Sequence, residues 1–283
     1  MKPSSITKQV RQALPIGSRL WTPNNLKHVI TWLVPRRIFR LGIGTGFSRW
    51  KDAKGNTEFV QTDASLRPSL TQSKAEFNGL LVPEFSSGDR LADETPTDKL
   101  DVGDGDFYIM AAIRTGAMQR GTIVSLQRQN SDEQIGFSIA QSRAGFFLQG
   151  VTRLLGVFPN PSAVVTGATN LSLSSNTIML VYFERINNEM NVYLNGTKDN
   201  SAAVASTTDI DNNAASILGN LQTSGTGSQF VGKIAEVVIG GSTQKNILST
   251  RQRQLLEGYM AHNCGIASVL PDSHPYKKGP PRR

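Results

Sequence analysis

Few side chains in these 283 residues are equipped for acid–base or nucleophilic chemistry. There are three histidines, His28, His262 and His274, and a single cysteine, Cys264. A serine or cysteine hydrolase needs a histidine base beside its nucleophile. His262 falls in a segment with helical spacing and His274 in a Pro-flanked tail, and neither shows an obvious nucleophile near it in the sequence. A glycosidase needs two carboxylates facing one cleft. Asp209 and Asp211 are close to a suitable spacing but sit in a small, polar stretch that reads as a loop. The run LGIGTG at residues 41–46 is rich in glycine, yet no helical pattern follows it, so it is not a phosphate loop. A lone cysteine excludes an internal disulfide and any multi-cysteine zinc site; Cys264 reads as a packed thiol. The chemistry-bearing residues thus predict a non-enzymatic protein with no cofactor. One stretch could hold a metal: Asp93, Glu94, Asp98, Asp101, Asp104 and Asp106 crowd together, and closely spaced carboxylates can bind Ca²⁺. Their spacing is not that of an EF-hand loop, and a solvated loop before a strand is the plainer reading.

The net charge of +8 is unevenly spread. Residues 1–51 carry ten Lys or Arg and no acid, residues 52–250 carry fourteen bases against twenty acids, and residues 251–283 carry six against two. A mildly acidic body therefore lies between two basic ends. The bases are spaced out with few aromatics among them, which disfavours nucleic acid and favours docking on an acidic surface. The residues predicted to make that contact are Lys8, Arg11, Arg19, Arg36, Arg37 and Arg40 at one end, and Lys277, Lys278, Arg282 and Arg283 at the other. No apolar run approaches the length of a membrane span, and the start lacks the apolar core of a secretory signal, so no membrane partner and no signal-dependent export are expected.

The elements that must position these residues are mostly strands. Residues 107–114, 122–128, 135–141 and 145–151 are apolar or alternating runs at spacings near ten, as in an antiparallel sandwich. Residues 178–183 are apolar on both faces, as in a central strand, and Asn187-Asn188 turns the chain into an alternating run at 190–195. Asn195-Gly196 makes the next turn. Residues 156–175 and 198–215 read as loops, and 81–85 as a half-buried edge strand that tolerates Pro83. Residues 230–239 form a long strand that Gly240-Gly241 is expected to stop. One helix follows: Ser249 and Gln252 form a capping box, Leu255, Leu256, Tyr259 and Met260 form an apolar stripe, and Gly265 stands where a C-terminal glycine belongs.

Several of these pieces resemble a known family. They are W-T-P at Trp21; W-x-D-x-x-G-N at Trp50, Asp52, Gly55 and Asn56; N-G-x-x-V-x-x-F at Asn78, Gly79, Val82 and Phe85; Y-L-N-G at residues 193–196; F-x-G-x-I-x-E-V at Phe230, Gly232, Ile234, Glu236 and Val237; L-L-E-G-Y-x-A-H at residues 255–262; and L-P-x-x-H-P-Y at residues 270–276. In this order they are similar to the concanavalin A-like, laminin-G-like jelly-roll domains of phage structural proteins and bacterial surface proteins. Where those usually continue with acids after an early W-L, this chain has Val34-Pro35-Arg36-Arg37, which puts any metal site there in doubt. The family's hydrolases carry an E-x-D-x-x-E strand, and no strand here has that pattern.

The resemblance implies an all-β antiparallel sandwich, a concanavalin A-like jelly roll with one C-terminal helix and extended basic termini. The expected layout is a basic arm at residues 1–20, the sandwich at 21–270 and a basic Pro-rich tail at 271–283. The expected role is a structural protein of a phage particle, a capsid decoration, head-fibre or tail-associated subunit. It would be made in the host bacterial cytoplasm, with other virion proteins and further copies of itself as partners. The alternative is a lectin-like carbohydrate-binding module for adhesion. Trp21, Trp32 and Trp50, the only tryptophans, sit at positions that read as structural, which weighs against a sugar site.

Overall fold

The computed structural model describes residues 20–38, 46–72, 76–93, 102–116, 121–127, 133–142, 145–154, 162–171, 176–204, 215–220 and 228–283. Its strands in chain order are β1 (Val29–Leu33), β2 (Arg49–Lys51), β3 (Glu58–Val60), β4 (Ser69–Gln72), β5 (Leu81–Phe85), β6 (Leu91–Asp93), β7 (Asp106–Thr115) and β8 (Gly121–Gln127). They continue with β9 (Glu133–Ser142), β10 (Gly145–Leu154), β11 (Ser162–Thr166), β12 (Ile178–Ile186), β13 (Glu189–Leu194), β14 (Thr197–Ala203), β15 (Ala215–Leu218) and β16 (Gly232–Ser242). One helix, α1 (Thr250–Asn263), follows.

The strands form two eight-stranded sheets with antiparallel pairing. The first runs β14-β13-β12-β7-β16-β5-β4, with β1 pairing on β16 where β5 has ended. The second runs β11-β10-β9-β8-β15-β6-β3-β2. Between them lies a core of Phe47, Trp50, Phe59, Phe85, Phe137, Phe183 and Phe230 with Ile109, Ile113, Val181 and Val237. Each such side chain withdrawn from water contributes about 1.5–3 kcal/mol. This is the expected jelly-roll sandwich with its C-terminal helix.

The first sheet is covered on its other face as well. Alternate residues of the same strands, Tyr108, Met110, Ala112, Leu180, Tyr182 and Val238, point away from the sandwich into a second apolar layer beneath α1. That is why residues 178–183 are apolar on both faces: Val181 and Phe183 enter the first core, Leu180 and Tyr182 the second.

Several motifs have the predicted structural roles. Trp50 is fully buried and donates Nε1–H to the Val34 carbonyl at 2.9 Å. Asp52 accepts from the Asn56 amide at 3.0 Å and the Trp32 amide at 2.7 Å, so it ties the turn to β1. The turns at Asn187-Asn188 and Asn195-Gly196 both have positive φ at both residues, the geometry that suits a two-residue hairpin loop.

Other expectations need correction. Gly240-Gly241 do not stop β16, which continues to Ser242; Gly240 pairs with Tyr108 and Gly241 with Phe107. The glycines are there because neighbouring side chains occupy the space a Cβ would take, the Tyr108 ring at Gly240 and Val102 at Gly241. The presumed loop at 156–175 contains β11, and that at 198–215 contains β14 and the start of β15. β14 is polar because it is an edge strand, mostly exposed along its length. β5 is not the edge either, since β4 lies outside it; Pro83 is tolerated because the β16 pairing ends at Glu84.

The C-terminal segment is not an extended tail. Residues 271–279 fold through successive turns over α1, with His274 buried. Leu20 and Arg282 form an antiparallel bridge, and the Trp21 amide donates to the Pro281 carbonyl at 3.2 Å. The start of the described chain and its end are therefore clasped together. If the glycine at 240 is a packing requirement, Gly240→Ala should lower stability to urea by about 1–3 kcal/mol; an unchanged unfolding midpoint would contradict it.

Candidate functional site

Both ends of α1 are held by caps that are legible in the sequence. Ser249 Oγ accepts from the Gln252 amide at 3.3 Å, and Gln252 Oε1 accepts from the Ser249 amide at 2.9 Å. At the other end Gly265 takes φ +70°. Asn78, itself at φ +54°, sends Nδ2 to the carbonyls of His262 at 3.2 Å and Asn263 at 3.4 Å. These are last-turn carbonyls that the helix leaves unsatisfied.

With the helix end fixed, Tyr259, His262 and Asn263 share one face at spacings of three and four. They meet Trp32 of β1, the Val34-Pro35-Arg36 turn after it, Trp21, Thr22 and Leu20 from the other chain end, and Pro280. Together with Asn78 and Leu80 these residues enclose a pocket of about 440 Å³. Its aromatic wall is a T-shaped pair on each side of Tyr259: Trp21 at 6.1 Å and 62°, Trp32 at 5.8 Å and 77°. Thr22, Arg36, Asn78, His262 and Asn263 supply the polar groups, and no Asp or Glu is among the lining residues.

Directly behind the aromatic wall lies Glu236, on β16 and fully buried. Trp32 Nε1 donates to its Oε1 at 2.7 Å, Asn263 Nδ2 to its Oε2 at 2.6 Å, and Cys264 Sγ lies 3.5 Å from Oε2. The Tyr259 hydroxyl bonds it too. Burial pushes the Glu236 carboxyl above the ordinary carboxylate range, while these donors pull the other way and only partly offset it. Burial and the neighbouring Glu236 push the Cys264 thiol well up, so Cys264 is an inert, packed thiol.

The remaining ionisable groups beneath α1 are also structural. Arg253 donates to Glu257 at 2.6 Å and lies 4.0 Å from the Tyr193 ring centroid. The Tyr276 amide donates to His274 Nδ1 at 3.2 Å, which leaves the proton on Nε2 to be given to Glu257 at 3.1 Å. His262 Nε2 lies 2.7 Å from the Tyr276 carbonyl, an acceptor, so that nitrogen carries its proton. Both histidines thus pin the C-terminal segment to the helix.

The basic residues predicted as a docking surface divide. Lys8, Arg11, Arg19 and Arg40 lie outside the described residues. Arg36, Arg37, Lys278, Arg282 and Arg283 are exposed. Lys277 is committed locally, its ammonium donating to the carbonyls of Ser268 at 2.8 Å and Leu270. Of the acidic stretch, Glu94, Asp98 and Asp101 lie outside the described residues, as do Asp209 and Asp211. Asp106 is buried and accepts from the Asn187 and Asn246 amides, so it ties loops together. Among the described residues no three His, Cys, Asp or Glu are grouped to hold a metal, and no helix is long and apolar enough to cross a membrane.

Trp21 and Trp32 are structural, as their positions in the sequence suggested, each less than a tenth exposed; the part they leave open forms the wall of a pocket that the sequence did not reveal. A readable signal was Glu236, an acid in the apolar run at residues 234–239, which needs buried donors. Glu236→Leu would strand the Trp32 and Asn263 donors and should cost at least about 2 kcal/mol in urea unfolding. Because the folded-state value of Glu236 is raised, its contribution is complete below the unfolded carboxylate range and is lost as pH rises through the folded value. The stability gap between wild type and variant should therefore narrow from acid to neutral pH.

Comparison with known proteins follows the same architecture. Residues 95–243, just over half of the chain, match the Laminin_G_3 family, the concanavalin A-like lectin/glucanases superfamily. No curated protein matches the chain significantly. Among solved structures the chain is similar to the binding domain of Paraclostridial Mosquitocidal Protein 1, at 14% identity and TM-score 0.56 over 82% of this chain and 52% of that one. It is similar to botulinum neurotoxin type C at 14% identity and TM-score 0.57, over 84% and 53%. Domain 4 of AbnA, a GH43 extracellular arabinanase from Geobacillus stearothermophilus, aligns at 14% identity and TM-score 0.53, over 84% of this chain and 98% of the domain. The chain spans about half the length of the toxin chains it matches. The two packed sheets, their register and the family match together make this chain a member of the laminin-G-like family in the concanavalin A-like lectin/glucanase superfamily.

Proposed function

We propose that this protein is a non-enzymatic, lectin-like module that binds a carbohydrate in the Trp21–Trp32–Tyr259 pocket. The observation that carries the reading is the composition of that pocket: aromatic edges and Leu80 on its walls, with Thr22, Arg36, Asn78, His262 and Asn263 among them. A sugar presents apolar C–H faces and a fringe of hydroxyls, and an apolar pocket with a few placed polar groups suits both. Glycoside hydrolysis would need two carboxylates at the ligand; none lines the pocket, and Glu236 is sealed behind Trp32 by its own hydrogen bonds. The similar arabinanase domain is seen with arabinotriose, and botulinum neurotoxin type C interacts with two ganglioside molecules. These neighbours lend support to the reading through the shared fold.

A second reading keeps the phage-particle subunit. It rests on the exposed bases Arg36, Arg37, Lys278, Arg282 and Arg283, which would face an acidic assembled surface. On that reading a chain with Arg36, Arg37, Lys278, Arg282 and Arg283 all changed to Gln stays folded but fails to sediment with particles; co-sedimentation equal to the unaltered chain would remove it.

The carbohydrate reading is tested by a glycan array followed by calorimetry on the full chain. Leu80→Trp fills the pocket from its wall and should weaken any glycan bound by at least about tenfold while the far-ultraviolet circular dichroism stays unchanged. Glycan binding indifferent to this change would place the site elsewhere.

A further inference from the structure

We infer that the ligand of this pocket is an anionic sugar, one bearing a carboxylate or a sulfate; the inference rests on the carbohydrate reading above and narrows it. The argument is the charge around the pocket. Arg36 lines it directly and is exposed, with Arg37 next in the chain. Two other lining residues, Leu20 and Pro280, belong to the clasp in which Leu20 is bridged to Arg282 and the Trp21 amide donates to the Pro281 carbonyl. Of the exposed bases, Arg36 is the one that lines the pocket itself.

Among the described residues no carboxylate pairs with Arg36, Arg37, Lys278, Arg282 or Arg283, whereas Arg49, Arg114, Lys198, Lys233 and Arg253 all have acidic partners. Glu236, behind the aromatic wall, is fully buried and faces its own donors. The negative end of α1 is likewise screened, since Asn78 Nδ2 covers the His262 and Asn263 carbonyls. An aromatic pocket lined by an exposed arginine and by no acidic side chain favours an apolar-faced ligand with an anionic substituent, and a guanidinium is suited to a planar carboxylate or a sulfate oxygen pair.

The test is an array of matched glycans on common cores, each in neutral, carboxylate-bearing and sulfated form, probed with the full chain at low and high salt. The expected result is binding to one or both anionic forms at least about tenfold tighter than to the neutral core, weakened by salt. Arg36→Gln should remove most of that preference, while Arg49→Gln, which alters an exposed pair on the other sheet, should leave it intact. A carboxylate-only response identifies a uronate- or sialate-type ligand, and a sulfate-only response a sulfated one; either supports the inference. Equal binding of neutral and anionic forms, or an anionic preference untouched by Arg36→Gln, overturns it while leaving the carbohydrate reading standing. No binding to any glycan overturns both.

Discussion

The central strands of the first sheet, β12, β7 and β16, are buried on both faces. One side packs on the second sheet and the other lies beneath α1 and the C-terminal segment. Every polar group on its central strands must therefore find a partner inside the protein, because an unpaired one costs a full desolvation penalty. Glu236 meets this demand with Trp32, Asn263, Cys264 and Tyr259. Glu184 meets it with Tyr182, Asn191 and Tyr193. Arg253, Glu257 and His274 satisfy one another. Among the described residues two buried side-chain atoms are left over, the Tyr108 hydroxyl and Asn191 Oδ1, and both lie in the row that β7, β12 and β13 place side by side at Tyr108, Glu184 and Asn191.

The same demand shapes the pocket. Glu236 draws Trp32 and Tyr259 toward β16, and those two rings then form the wall. The helix end is set by Asn78 from a turn nearly two hundred residues earlier in the chain. The clasp between Leu20 and Arg282 closes the remaining side. A pocket assembled this way depends on the burial behind it, and the bonds to Glu236 hold Trp32, Tyr259 and Asn263 in place. Side chains already held reduce the ordering cost that a bound ligand would otherwise impose.

Local physics made much of this readable in advance. Strand runs with period-two alternation, the positive-φ asparagines at 187, 188 and 195, the Ser249–Gln252 box and the glycine at 265 all act over a few residues, and all are found where their chemistry placed them. The misreadings share a cause. β14 is polar because it is an edge strand, β11 hides in a stretch read as a loop, and Gly240 looks like a stop but is a vacancy for Tyr108. Each depends on a neighbour distant in the chain, which periodicity does not report.

The residue pattern alone was enough for the fold class, the helix with its caps, the order of most strands and the poverty of catalytic groups, since these follow from local backbone preference and composition. The pocket was beyond its reach. Trp21, Trp32, Asn78, Tyr259 and Pro280 come together through packing across the whole chain, and a tryptophan that is mostly core can still offer an edge to a ligand. The presence of Arg36 there has the same origin: its charge is visible in the sequence, but its place in the pocket lining is set by packing.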